Sequence, residues 1–218
     1  METGAFITFE GPDGAGKTSV LSALIEEYTS QLGSRLVSTR EPGGNRISEA
    51  IRAIIMDTTN VDMDARTEAL LFAAARRQHL VQTVQPALAS GKIVFSDRYV
   101  DSSIAYQGAG REIGTTAVAE MNLFATAGFT PDLTIYFDIP SEVGLARIHD
   151  YRADQVNRLD NEALSFHRRV RAAYLQLAQQ EPERIVTIDA NQPLEAVVED
   201  VKQTLAQRLP QQFGLSED

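Results

Sequence analysis

The most specific chemistry in the chain lies in one short run, Gly11-Pro12-Asp13-Gly14-Ala15-Gly16-Lys17-Thr18. It fills the pattern G-x-x-x-x-G-K-[ST] at every fixed position. Glycines let a backbone wrap closely, so that successive N–H groups can point at phosphate oxygens. A helix that starts at the end of such a loop adds its positive end. Lys17 supplies a mobile positive charge for the β- and γ-phosphates, and Thr18 offers a hydroxyl to Mg²⁺. Residues 11–18 are therefore the candidate nucleoside-triphosphate site. Asp13 is the odd member, because a negative charge inside an anion-binding loop opposes phosphate. The conflict disappears if its carboxylate faces another group, such as a sugar hydroxyl on a second substrate. A solvent-facing turn aspartate is the plainer alternative.

A second constellation follows the run Ile-Val-Phe-Ser-Asp-Arg-Tyr (93–99). An acid followed by a base at a strand end suits a site that holds both Mg²⁺ and a second phosphate. Asp97 is the candidate metal partner, through a bound water, and Arg98 a candidate for the phosphate and its chemistry. Arg52 is another, since a guanidinium fork binds phosphate bidentately; a solvated helix arginine is the alternative. Phe72 and Arg76 lie four apart on one helix face. An aromatic plane beside a fixed guanidinium can stack on a base and hydrogen-bond its edge. Ser103 and Gln107 repeat the spacing, and Gln107 carries both a donor and an acceptor.

The elements that must position these residues are legible as alternating runs. Phe6–Glu10, Arg35–Thr39, Ile93–Asp97, Leu133–Asp138 and Ile185–Asp189 are short and apolar. Between them lie helical stripes, one of Val20, Leu21, Leu24, Ile25 and Tyr28, another of Leu70, Ala74, Val81, Val84 and Leu88 ended by Gly91. Strands alternating with helices predict an α/β fold, a parallel sheet of about five strands with helices on both faces in three layers. Glu10, Asp97, Asp138 and Asp189 close four of the runs, at the strand ends where open α/β sheets bind ligands. For Asp138 and Asp189 the better reading is an acid that merely ends an apolar run.

A chain of 218 residues fits one domain, here 1–209, followed by a polar, acidic tail at 210–218. Residues 150–162 are charged and lack a clean apolar stripe, which suits a lid. Arg152 and Arg158 stand out there as cations that closure would bring against a transferring phosphoryl group. The net charge of −10 excludes a sequence-independent nucleic-acid binder. No cysteine is present, so thiol catalysis and disulfides are excluded, and the three histidines show no metal-ligand spacing. No apolar run approaches membrane-spanning length. The expectation is a cytoplasmic protein without nucleic-acid or membrane partners.

A guanine-reading N-K-x-D segment is absent, and arginine follows Asp97 where motors carry paired acids. Over nearly its whole length the chain instead resembles bacterial thymidylate kinases. The resemblance rests on Phe-Glu-Gly-Pro-Asp-Gly-Ala-Gly-Lys-Thr (9–18), Thr-Arg-Glu-Pro-Gly-Gly (39–44), Leu-Phe-Ala-Ala-Ala-Arg-Arg (71–77), Asp-Arg-Tyr-Val-Asp-Ser-Ser-Ile-Ala-Tyr-Gln-Gly (97–108) and Pro-Asp-Leu-Thr-Ile-Tyr-Phe-Asp (131–138). It implies a P-loop kinase that moves the γ-phosphoryl group of ATP to dTMP with Mg²⁺, as a homodimer. It implies a thymine site at Phe72, Arg76, Ser103 and Gln107, with Tyr106 beside the sugar and Ser102 among the substrate-binding residues. It brings the Glu41-Pro42 loop to the acceptor; that peptide bond could be cis, although base rates favour trans. It also points to Arg147 and the Asn191-Gln192 turn for adenine. The loop carries no arginine, as in the subgroup that supplies its arginine from the lid, so Arg152 leads and Arg158 follows. Lys17, Arg98, Asp13 and the lid arginines complete the expected catalytic set. A deoxynucleoside kinase and a slow regulatory ATPase are the alternatives.

Overall fold

The computed structural model describes residues 4–151 and 162–213. Five strands form one parallel sheet: β1 (Ala5–Glu10), β2 (Leu36–Arg40), β3 (Ile93–Asp97), β4 (Leu133–Asp138) and β5 (Ile185–Asp189), in the order β2-β3-β1-β4-β5. All five expected runs are strands; the second begins one residue later than expected, because Arg35 belongs to a short turn. The chain leaves central β1 to build β3 and β2 on one side and β4 and β5 on the other. That reversal opens a crevice at the strands' carboxyl ends, where Phe9 lies opposite Asp97 and Glu10 opposite Tyr136.

Alternation along β1 sorts its side chains between two layers. Ala5, Ile7 and Phe9 face α1 (Lys17–Leu32) and α9 (Leu194–Arg208), in a core with Phe95, Ile135, Phe137, Leu24 and Val201. Phe6 faces the other way, against Leu80, Val84, Val94 and Tyr99. Beyond it Thr8 and Glu10 are buried polar groups. This second layer holds α2 (Arg46–Met56), α3 (Ala65–His79), α4 (Gln85–Ala89), α5 (Val100–Ser103), α6 (Thr115–Thr126) and α8 (Leu164–Gln180). The short α7 (Ser141–Tyr151) follows β4. Asn45 and Asp64 cap α2 and α3 by accepting from first-turn N–H groups.

Two expectations need correction. Leu70 is 59% exposed and Ala74 is exposed, so the stripe Leu70–Leu88 is not one buried face. A π turn at Leu80–Val84 joins α3 to α4. Its extra residue rotates the helix, so a face periodic across it cannot stay in register. The buried face of α3 instead carries Glu68, Phe72, Arg76 and His79. Nor is the expected tail wholly outside the domain: Pro210–Phe213 forms α10, and the Phe213 ring packs 4.9 Å from Tyr28 and 5.9 Å from Phe95.

Candidate active site

A cavity of about 750 Å³ lies at the carboxyl ends of β1 and β3, within the usual size for a ligand site. One wall is the loop between β1 and α1. Gly14 takes φ 80°, and a Cβ there would collide with the Gly144 carbonyl, so only glycine lets the loop lie this close to α7. Gly16, at φ 84°, is the residue from which α1 starts. Lys17 is buried, its ammonium donating to the carbonyls of Gly11 and Pro12, both at 2.9 Å. Burial, and then the neighbouring Arg98, push its pKa down to about 8. It stays mostly protonated at neutral pH, and phosphate anions would strengthen that charge. Thr18 is exposed to the cavity at the helix start.

The Asp13 carboxylate does face other groups. Arg98 Nη2 donates to Oδ1 at 2.7 Å, and the Tyr106 hydroxyl donates to Oδ2 at 2.8 Å. Arg98 itself sits at φ 73°, a conformation uncommon outside glycine. Its Nη1 donates to the Gly11 carbonyl at 3.0 Å and to Ser102 at 3.0 Å, and the guanidinium lies 4.9 Å from the Tyr106 ring centre. Behind it stands Glu10, fully buried. Tyr99 N–H, the Ser102 hydroxyl and the Tyr174 hydroxyl all donate to its carboxylate. Burial, with Asp101 adding repulsion, pushes Glu10 up to about 6.

The opposite wall is an ionic cluster. Arg76 is 1% exposed. Its Nε donates to Glu41 Oε2 at 2.7 Å, Nη1 to Ser103 and Asn122, and Nη2 to the Tyr99 carbonyl. A guanidinium has five N–H donors, so one Nη2 hydrogen remains for a ligand. Glu41 Oε1 is bonded to His79 Nδ1 at 2.9 Å, and His79 Nε2 to Thr39 at 2.7 Å. The Glu41–Pro42 bond is cis, against the base-rate expectation. Arg52 Nη1 donates to the Pro42 carbonyl at 2.9 Å, which holds its half-buried guanidinium beside that loop. Phe72 and Gln107 line the same cavity.

The sequence-predicted residues 13–18, Glu41, Pro42, Arg52, Phe72, Arg76, Asp97, Arg98, Ser102, Ser103, Tyr106, Gln107 and Arg147 therefore converge on one cavity. Gly11 and Pro12 turn their carbonyls to Lys17 instead. Arg147 lies at the far end, its Nη1 donating to the Ala190 carbonyl at 3.1 Å, beside Gln192. Arg152 and Arg158 lie outside the described residues. Asp138 is paired in bidentate fashion with Arg171 at 2.8 Å. Glu68, His79, Asn122 and Tyr174 were missed, and Glu10 was named only as an acid at a strand end. Glu68 carried a signal, an acid in helical register with Phe72 and Arg76; Asn122 and Tyr174 carried none.

The donor set at this cavity, a carboxylate beside a hydroxyl, fits Mg²⁺. Among the described residues Asp97 Oδ1 is buried without a partner, and the Thr18 hydroxyl is exposed at the same cavity. No cluster of metal-ligating side chains exists among the described residues, which suits an ion that keeps its waters and phosphate oxygens.

Comparison with known proteins decides the kinship. The thymidylate kinase family model matches residues 9–201. The chain belongs to the thymidylate kinase family. It is 62% identical to the thymidylate kinase of Lactiplantibacillus plantarum over 210 residues, covering 96% of this chain and 95% of the relative. It is 64% identical to that of Latilactobacillus sakei over 204 residues, covering 94% and 95%. The crystal structure of thymidylate kinase from Ehrlichia chaffeensis superposes with a TM-score of 0.76 at 32% identity, covering 93% of this chain and 98% of that one. Membership in the thymidylate kinase family makes the chain a phosphotransferase acting on dTMP, in the supply of dTTP. No described helix is long and apolar enough to cross a membrane.

Proposed function

We propose that this chain carries out ATP + dTMP → ADP + dTDP by holding both nucleotides in the one cavity, with these residues in these roles. The carrying observation is that one cavity is lined by the phosphate loop, by Phe72, Arg76 and Gln107, and by Asp97 and Arg98. The loop amides, Lys17 and the start of α1 take the ATP phosphates; Arg147 lies toward the adenine. Phe72 stacks on thymine, and Arg76 and Gln107 read its edge. Tyr106, held by Asp13, closes the sugar pocket. Arg52 and Arg98 hold the acceptor phosphate.

That phosphate is already a nucleophile near neutral pH, so no strong general base is required. Rate comes from alignment and from positive charge where negative charge develops. Thr18, and Asp97 through a water, would hold Mg²⁺, which would supply charge neutralisation across the phosphates. Arg152, with Arg158 as second candidate, is the lid cation.

The remaining readings are a homodimer and the cytoplasm. Leu123, Phe124 and Leu70 are 62%, 92% and 59% exposed on α6 and α3, which pack together, and supply an apolar face for a second copy. The cytoplasm is supported by the nucleotide substrates and a cysteine-free chain.

The test is ADP release from ATP and Mg²⁺ with each nucleoside monophosphate and with thymidine. Fast turnover with dTMP and weaker turnover with dUMP are expected; one methyl group in an apolar pocket is worth about 1–3 kcal/mol. Turnover with thymidine instead would overturn the roles of Arg52 and Arg98. Slow ATP loss indifferent to every acceptor would overturn the kinase reading.

A further inference from the structure

Gln107 alone could read either kind of pyrimidine edge, because an amide is both donor and acceptor and can turn over. The structure removes that freedom. Glu68 is fully buried in the first turn of α3, where the positive helix end favours an acid. Its Oε1 accepts from Gln107 Nε2 at 2.8 Å, and its Oε2 lies 3.2 Å from Arg111 Nη2. Arg111 Nε also reaches Oε1 at 3.4 Å, and its Nη1 pairs with Glu162. A carboxylate paired with a guanidinium only accepts, so the NH₂ end of Gln107 must point at Glu68. Its carbonyl is then the group left for a ligand, and no described donor reaches that oxygen. On the same wall Arg76 keeps one N–H without a partner among the described residues.

We propose that the buried Glu68–Arg111 pair sets base specificity by locking the Gln107 amide with its carbonyl toward the base. The pocket then offers an acceptor from Gln107 beside a donor from Arg76. Thymine and uracil match it, with a donor at N3 and an acceptor at O4. Cytosine presents the reverse, an acceptor at N3 and a donor at N4, and leaves both protein groups opposed by like partners. Glu68 touches no substrate and is a positioning residue. The inference rests on the dTMP reading above and adds what enforces it.

The experiment compares kcat/KM for dTMP and dCMP in the wild type and in Glu68→Gln. A glutamine there has the same size but presents both a donor and an acceptor, so the Gln107 amide can turn over. The expected result is a fall of about tenfold or more in the dTMP-over-dCMP preference, carried mainly by KM, because a site built around hydrogen bonds discriminates strongly only while they are fixed. Equal losses for both substrates, with the preference unchanged, would make Glu68 merely structural and overturn the proposal. A wild type that turns over dTMP no better than dCMP would overturn the base reading itself and the lock with it. Arg111→Met, at a position only partly buried, is the second variant should Glu68→Gln fail to fold. Losing the guanidinium leaves the buried Glu68 carboxyl favouring its neutral form, which can also donate. The Gln107 amide is then freed to turn, the preference should fall in the same direction by about threefold, and an unchanged preference there also counts against the lock.

Discussion

Along the phosphate loop, the groups turned to the cavity belong to one continuous turn of backbone, with Lys17 as the single buried cation. Along the facing wall they are side chains drawn from the Glu41 loop, α3, the segment after α5 and α6, and tied to one another: Glu41 to Arg76 and His79, Arg76 to Ser103 and Asn122, Gln107 to Glu68. The first wall is held largely by local conformation, so loss of its cation should leave the fold intact. The second is built from two buried clusters, one around Arg76 and one around Glu68, in which every member is another's partner. Such networks are rigid when complete and fail when one partner is removed.

Arg76→Ala tests that contrast most severely. It strips a buried carboxylate of its guanidinium, and breaking a buried pair costs about 3–5 kcal/mol. Urea denaturation should show that loss together with weak dTMP binding; a variant of wild-type stability would mean that the two walls do not differ in kind. Lys17→Met is the matching probe of the other wall. Losing a preorganised charge at the transferring phosphate should lower kcat about 100- to 1,000-fold, while the denaturation midpoint stays unchanged or rises because a desolvated cation is gone. A large stability loss there would erase the distinction.

The smallest effect concerns Glu10, behind Arg98. Its carboxyl is raised from 4.5 to about 6 in the folded protein, so the folded state holds the proton more tightly than the unfolded one. Its stabilising contribution is complete below pH 4.5 and is lost as pH rises through about 6. Wild-type stability measured relative to Glu10→Gln should therefore fall by about 2 kcal/mol across that window. A flat difference would show that the Tyr99, Ser102 and Tyr174 donors fully compensate burial.

The same contrast explains what was legible. The phosphate loop could be read because a tight turn with positive φ demands glycine at fixed places, and a helix start demands little else. The five strands could be read because strands covered on both faces are continuously apolar. The face of α3 was misread because its buried members are Glu68, Arg76 and His79, which periodicity of apolar residues assigns to water, and because the π turn after His79 shifts the register. Phe72 and Arg76 were found as a pair, but not the partners that hold Arg76, since Asn122 and the Tyr99 carbonyl become neighbours only on folding. Phe213, in a segment that reads as tail, packs on Tyr28 and Phe95 for the same reason.

By itself, then, the sequence determined the alternation of strands and helices and the phosphate loop, because each depends on groups close in the chain, while cavity residues such as Tyr106 and Arg147 were named through the resemblance to thymidylate kinases. Tertiary structure alone decided that Asp13 is neutralised by Arg98 and Tyr106, that Glu41, Arg76 and His79 form one network, and which way the Gln107 amide faces. Those facts depend on carboxylates and their partners meeting in a space without water. There an unpaired charge is costly enough to dictate orientation, and no local pattern of residues records which partner will arrive.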